Sequence, residues 1–200
     1  KNWPYEFYSM IRLGVLGSTK GTDLQAILDA ISKKILKARV SLVISNNKNA
    51  YILKRAENYN IPNYYISHES LSRKNFDSLV AKELKKYKVD LILLIGFMRI
   101  LSKEFCLEWK DKILNVHPSL LPKYAGGMDS NVHEEVLKNK DLETGCTIHF
   151  VTEKLDAGPI LVQKRCAVEK NDTPLTLKEK VQVLEGEAFL EAIKLIQQKS

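Results

Sequence analysis

The sequence predicts an α/β fold, a mostly parallel sheet covered by helices and finished by antiparallel strands near the C-terminus. Residues 11–16 (IRLGVL), 40–45 (VSLVIS) and 89–95 (VDLILLI) are short, β-rich apolar runs bounded by turn residues, as expected of strands buried on both faces. The stretches between them carry apolar residues at helical spacing, and strand alternating with helix argues for right-handed parallel crossovers. In the second half, CTIHFVT and PILVQKRCAV alternate instead like an antiparallel ribbon.

Taken in order, the first run passes through Gly17, Ser18, Thr19, Lys20, Gly21 and Thr22 into TDLQAILDAI, where Leu24, Ile27, Leu28 and Ile31 share a helix face and Thr22 or Asp23 is the expected cap. NAYILKRAENYN and LSRKNFDSLVAKELKKYK repeat the helical pattern. The two C-terminal strands are expected to be joined by a tight LDAGP connection, and an amphipathic helix over about 175–198 closes the chain. Residues 1–10 read as an N-terminal extension of uncertain origin that lacks the pattern of a secretory signal, and 11–200 as one domain.

Composition narrows the function classes. With 200 residues and 44% hydrophobic content, the chain can bury one sizeable core. Its longest apolar run is far short of the roughly 20 residues that span a bilayer, so no membrane association is expected. The net charge of +7 is spread as lysines among acids, as in AKELKKYK, which marks solvated helix faces rather than a nucleic-acid surface. Cys106, Cys146 and Cys166 form no CxxC pair, so neither a metal nor redox chemistry is expected, and a reduced, cytoplasmic setting fits best.

The chemistry concentrates in four places. In ILNVHPSLLP, Asn115 and His117 are two apart on a strand and project from one face, and Pro118 ends the ladder, which places the pair at the carboxyl edge of the sheet where open α/β sheets bind ligands. A turn-capping Asn and a hydrogen-bonded core His are the plain alternative. The loop at 17–22 runs into a helix start, a ready anion site, and reads equally as an ordinary turn; it matches neither GxGxxG nor a P-loop. LILLIGFMRILS carries a buried strand into Gly96, where backbone can approach a flat ring, with Arg99 as either ligand contact or sheet cap. HFVTEKLDAGPI puts Asp156 in a turn, with His149 earlier on the strand. A carboxylate brought near His117 would orient the ring and favour the imidazolium, whereas most turn aspartates bond local amides.

With GFMRIL, NVHPSLLPKYAG, HFVTEKLDAGP and VQVLEGEA in this order, the chain resembles the folate-dependent formyltransferases from about Arg12 to its end, and among them those acting on glycinamide ribonucleotide. The resemblance implies the Rossmann-like formyltransferase fold and, as catalytic trio, Asn115, His117 and Asp156. It implies that Met98, Arg99, Ile100 and Leu101, with Thr152, Glu153, Lys154, Leu155 and Asp156, hold the pterin-like ring of 10-formyltetrahydrofolate, which Asn115 and Arg73 also contact. Gly21, Thr22 and Asp23 fall where the substrate phosphate is held, and Gln182 and Glu185 where its ribose is met. The chain departs from the family pattern at Thr19 and Asp23 in the first loop, and in AGGMDSNVHEEVL, expected here as a loop over 126–135.

The implied reaction transfers the formyl group of 10-formyltetrahydrofolate to the amine of glycinamide ribonucleotide in purine biosynthesis. It passes through a tetrahedral intermediate stabilised by Asn115 and protonated His117, with Asp156 favouring that protonation. The partners are those two small molecules, and a monomer and a homodimer both remain open. Transfer to another amine, such as an amino-sugar nucleotide, hydrolytic deformylation and a non-catalytic folate-binding role are the alternatives.

Overall fold

The computed structural model describes residues 10–127 and 129–199. The expected N-terminal extension therefore lies outside the described residues, apart from the exposed Met10. In chain order, β1 (Ile11–Leu16) leads to α1 (Thr22–Ser32), β2 (Ala38–Ser45) to α2 (Tyr51–Asn58), and β3 (Asn63–Tyr65) to α3 (Arg73–Lys86). Next come β4 (Leu91–Leu94), α4 (Lys103–Glu108), β5 (Ile113–His117) and α5 (Asp129–Lys138). The chain continues through β6 (Glu143–Phe150), β7 (Ile160–Ala167) and α6 (Pro174–Lys199).

These strands form one seven-stranded sheet in the order β3-β2-β1-β4-β5-β6-β7. Pairing is parallel from β3 through β5 and antiparallel for β5–β6 and β6–β7. The predicted mixed α/β architecture is thus the observed one. Order reverses between β1 and β4, so the loops after these strands leave in opposite directions and open a crevice between them.

Both faces of the sheet are covered because its strands are apolar in both directions. On one face, Leu24 and Ile27 of α1, Ile52 of α2, and Val181, Phe189 and Ile193 of α6 pack on Leu13, Val15, Val43 and Leu114. On the other, Phe76, Val80 and Leu84 of α3 and Phe105 of α4 pack on Leu16, Leu42, Ile44, Ile92 and Ile113. Two helix starts carry serine caps: Ser72 Oγ accepts from the Asn75 N–H and Ser102 Oγ from the Phe105 N–H.

Several local expectations are corrected. Neither Thr22 nor Asp23 caps α1; the cap is Gly21, at φ 67° and ψ 41°, a left-handed conformation that glycine adopts without strain. Asp23 is buried in the first turn. The segment expected as a loop over 126–135 is helical from Asp129 as α5. The β6–β7 connection occupies residues 151–159, longer than the expected LDAGP turn. β3 and α4 were not expected, since three and six residues are too few to display a period. Among the described residues, no helix is long and apolar enough to cross a membrane.

Phe189 is fully buried where α6 meets the sheet. Phe189→Ala is expected to cost about 3–5 kcal/mol, read from urea unfolding curves. A negligible change would mean that α6 contributes little to this core.

Candidate active site

The site is built at the carboxyl edge of β5. There Asn115 and His117 lie on one face, and the antiparallel register sets His149 directly opposite Asn115 and Thr147 opposite His117. Directly opposed residues of an antiparallel pair project from the same face. The pairing therefore gathers an amide, two imidazoles and a hydroxyl into one patch.

Asp156 reaches this patch from the 151–159 connection. Its Oδ2 lies 3.4 Å from His117 Nδ1 and its Oδ1 3.6 Å from His149 Nε2. The Gly126 N–H donates to Oδ2 at 2.8 Å. The three side chains are almost wholly buried, 5%, 3% and 7% exposed for His117, His149 and Asp156. Asp156 has φ 49°, a left-handed conformation uncommon outside glycine but better tolerated by Asp than by most residues. The connection is also pressed onto β6: a Cβ at Gly158 would lie 1.7 Å from the Phe150 carbonyl oxygen, so this position accepts no side chain without moving the loop that carries Asp156.

Hydrogen-bond accounting assigns the ring tautomers. His149 Nδ1 is 3.1 Å from the Phe150 carbonyl, which can only accept, so Nδ1 carries the proton. Burial lowers the His149 pKa, against opposing contributions from that carbonyl and from Asp156, and the ring is therefore held neutral. Its Nε2 is then an acceptor for Asn115 Nδ2 at 3.1 Å. This orients the Asn115 amide and commits one of its two N–H groups. His117 Nε2 lies 2.8 Å from the Tyr124 carbonyl and donates to it. The segment after β5 is pinned in turn: Thr147 Oγ1 donates to the Ser119 carbonyl and accepts from the Leu121 N–H, while Gln163 Nε2 donates to the Leu121 carbonyl.

A cleft opens beside Asn115, His149 and Asp156. Leu94, Phe97, Ile100, Leu101, Val151 and Leu155 give it apolar walls, and Arg99, Thr152, Glu153 and Lys154 complete the lining. The Arg99 guanidinium stacks 4.4 Å from the centroid of the Phe76 ring. Met98 is half exposed and outside this lining; its N–H donates to Ser18 Oγ at 2.8 Å. Arg73 is exposed at the first position of α3, also outside the lining. A more open cleft at the amino-terminal end of the sheet, lined by Arg12, Lys85, Lys88, Asp90, Trp109 and Lys112, contains none of the residues singled out in the sequence.

On the opposite side of the sheet edge, α1 packs against α6, where a Cβ on Gly186 would meet that of Ala26 at 2.8 Å. This brings the start of α1, with Gly21, Thr22 and Asp23, toward the stretch of α6 that holds Gln182 and Glu185. Burial pushes the Cys146 thiol pKa up, and the nearby carboxylates of Glu185 and Asp23 push it further, so both acids converge on this point of β6. Asp23 is thus turned inward. Among the described residues, no group of His, Cys, Asp and Glu side chains is arranged to hold a metal ion.

Residues 11–193 match a family described as formyl transferase. The chain belongs to the formyl transferase family. It is 38% identical over 172 residues to a phosphoribosylglycinamide formyltransferase of Escherichia coli, covering 86% of this chain and 80% of that protein. It is 43% identical to a trifunctional purine biosynthetic protein of Gallus gallus, covering 93% of this chain but only 18% of that longer protein. The glycinamide ribonucleotide transformylase 1 structure from Symbiobacterium toebii superposes with a TM-score of 0.91 at 36% identity, covering 100% of this chain and 92% of that one. It shares the mostly parallel sheet with antiparallel end strands.

Sequence reading gave His149 no role in the trio's surroundings, and it did not anticipate the Tyr124 carbonyl or the Gly126 N–H. The available signal for His149 was its place on an alternating strand that could pair with ILNVH. For the two backbone groups no side-chain pattern exists to be read.

The neutral, buried His149 has a consequence for stability. Its pKa is about 6.5 when unfolded and lower when folded. As pH falls below about 6.5 the unfolded chain takes up a proton that the folded chain refuses, so stability drops until the folded ring also protonates. Unfolding free energies measured from pH 8 down to pH 5 should fall for the wild type and fall less steeply for His149→Gln. Parallel curves would contradict a ring held neutral by burial.

Proposed function

We propose that this formyl transferase moves the formyl group of 10-formyltetrahydrofolate onto the amine of glycinamide ribonucleotide, a step of purine biosynthesis. The names of its relatives support formyl transfer and the acceptor, and the motif resemblance to folate-dependent formyltransferases supports the donor. The observation that carries the reading is the meeting of His117 with Asp156 behind a cleft that Asn115 and Asp156 line together with Arg99, Ile100, Leu101 and residues 152–155.

In this reading the folate ring enters the cleft between the 97–101 and 151–156 segments, which presents its formyl carbon to Asn115. The amine attacks that carbon, a C–N bond forms, and negative charge gathers on the formyl oxygen. Asn115 meets the charge with the N–H that His149 leaves free, fixed in direction before the reaction begins. His117 is the second donor. Its Nε2–H is engaged by the Tyr124 carbonyl, so its use on the oxyanion requires that contact to exchange. With a proton on each nitrogen the ring satisfies both the Tyr124 carbonyl and the Asp156 carboxylate, which can only accept.

Collapse of the intermediate breaks the bond from the formyl carbon to the folate nitrogen. The proton shed by the amine returns to that nitrogen through a water hydrogen-bonded to the Asp156 carboxylate in the cleft. The products are formylglycinamide ribonucleotide and tetrahydrofolate. No acyl-enzyme is needed, and Cys106, Cys146 and Cys166 have no part in the steps. Met98 and Arg73 would act at the edge of the folate site rather than within its lining. The start of α1 takes the substrate phosphate, and Gln182 and Glu185 face its ribose.

A coupled assay with 10-formyltetrahydrofolate and glycinamide ribonucleotide is the test. Rapid transfer by the wild type and a fall of about 100- to 1,000-fold in kcat for Asp156→Asn, with folate binding kept, are expected. A wild type that binds folate but transfers nothing to this acceptor would overturn the substrate assignment.

A further inference from the structure

Helix α2 carries an arginine that none of the roles above uses, and it bonds the loop between β1 and α1. Arg55 Nε donates to the Lys20 carbonyl at 2.7 Å. One turn earlier, the Ile52 N–H donates to the Thr19 carbonyl at 3.1 Å. The Ile52 side chain fills the space beside Gly17 and Gly21, where an added Cβ would come within 2.4 Å of it in both cases.

A trans peptide is planar and its C=O and N–H point in opposite directions. With the carbonyls of Thr19 and Lys20 both turned toward α2, the N–H groups of Lys20 and Gly21 are both turned away from it. The positive φ of Gly21 then carries the chain into α1, whose first N–H groups follow them. Successive N–H groups brought to one side in this way form a concave anion cradle at the positive end of a helix dipole.

Arg55 is itself held in place. Its Nη1 donates to Gln25 Oε1 at 2.9 Å, and its guanidinium lies 4.9 Å from the centroid of the Tyr51 ring. Gln25 is braced by Asp29 and the Tyr59 hydroxyl. The direct hydrogen-bond partners of the guanidinium are thus a peptide carbonyl and a side-chain amide, both neutral. Its charge is left to act on the loop.

We propose that Arg55 is a positioning residue for phosphate binding, which clamps the Lys20 carbonyl so that the Lys20 and Gly21 amides face the substrate's phosphate. This rests on the reading that the loop takes the phosphate of glycinamide ribonucleotide.

Two measurements on the full chain test it. In steady-state formyl transfer, Arg55→Ala should raise KM for glycinamide ribonucleotide about 10- to 100-fold, as expected for losing a hydrogen bond that involves a charged group. Its kcat and its KM for the folate should be little changed, and Arg55→Lys, which keeps the charge, should recover part of the loss. In the second measurement, inorganic phosphate titrated into isotope-labelled wild type should shift the amide resonances of Lys20, Gly21 and Thr22, and Arg55→Ala should need far more phosphate for the same shift. An unchanged KM for glycinamide ribonucleotide in Arg55→Ala would overturn the inference, as would an equal rise in both KM values. If Arg55→Ala does not fold, Arg55→Lys and the wild-type titration decide. If the wild type fails to formylate glycinamide ribonucleotide, the proposed substrate falls. The titration then decides alone: loss of the shifts in the variant supports the clamp, and amides that ignore phosphate in the wild type sink it.

Discussion

The antiparallel pairing of β6 with β5 is the constraint on which the rest of the site depends. The first five strands in chain order pair in parallel, and their helical crossovers would leave the far edge of β5 bare. Running β6 back along that edge sets His149 beside Asn115 and Thr147 beside His117, one layer of side chains above the sheet. A register slip of one residue would turn both partners to the opposite face and replace them with apolar neighbours. The hydrogen bond from Asn115 to His149, the pinning of the 118–124 segment by Thr147, and the return of the chain with Asp156 all follow from that single alignment.

Polar groups buried this deeply are costly unless each has a partner. The site meets that requirement in a directional way. Backbone carbonyls of Phe150 and Tyr124 take the ring protons that no side chain takes, and the Gly126 N–H supplies Asp156 with a donor. The loop after β5, the end of β6 and the 151–159 connection are therefore fastened to the same few side chains. The rigidity that preorganised electrostatic catalysis needs comes from main-chain atoms as much as from the trio.

This division explains what the sequence revealed. The runs at 11–16 and 89–95, and the spacing of Leu24, Ile27, Leu28 and Ile31, stated their periods plainly because their faces are buried against a continuous core. Asn115 and His117 were legible as a pair because the period of a strand is two and Pro118 marks its end. The cap at Gly21 was missed because the expectation rested on side-chain acceptors at Thr22 and Asp23, whereas the turn needed a left-handed residue. Helix α5 was missed because AGGMDSNVHEEVL opens with glycines, and its helical stretch is only Asp129–Lys138. The Tyr124 and Gly126 contacts had no sequence signature, since any residue type offers a carbonyl and almost any offers an N–H.

The two large apolar clusters use opposite faces of the same strands and different helices, and α5 packs with the start of α6 in a third. Segments 97–101 and 151–156, on the proposed folate side, are backed by Phe97, Leu101 and Val151 in the cluster under α3 and α4. The α1 and α6 surfaces, on the proposed nucleotide side, belong to the other cluster. The two clusters have no buried residue in common, so helices on one face of the sheet pack on different strand side chains from helices on the other. On the proposed assignment of the two pockets, a substitution that reshapes the packing behind one leaves the packing behind the other in place, so such a scaffold could exchange its acceptor and keep its one-carbon donor.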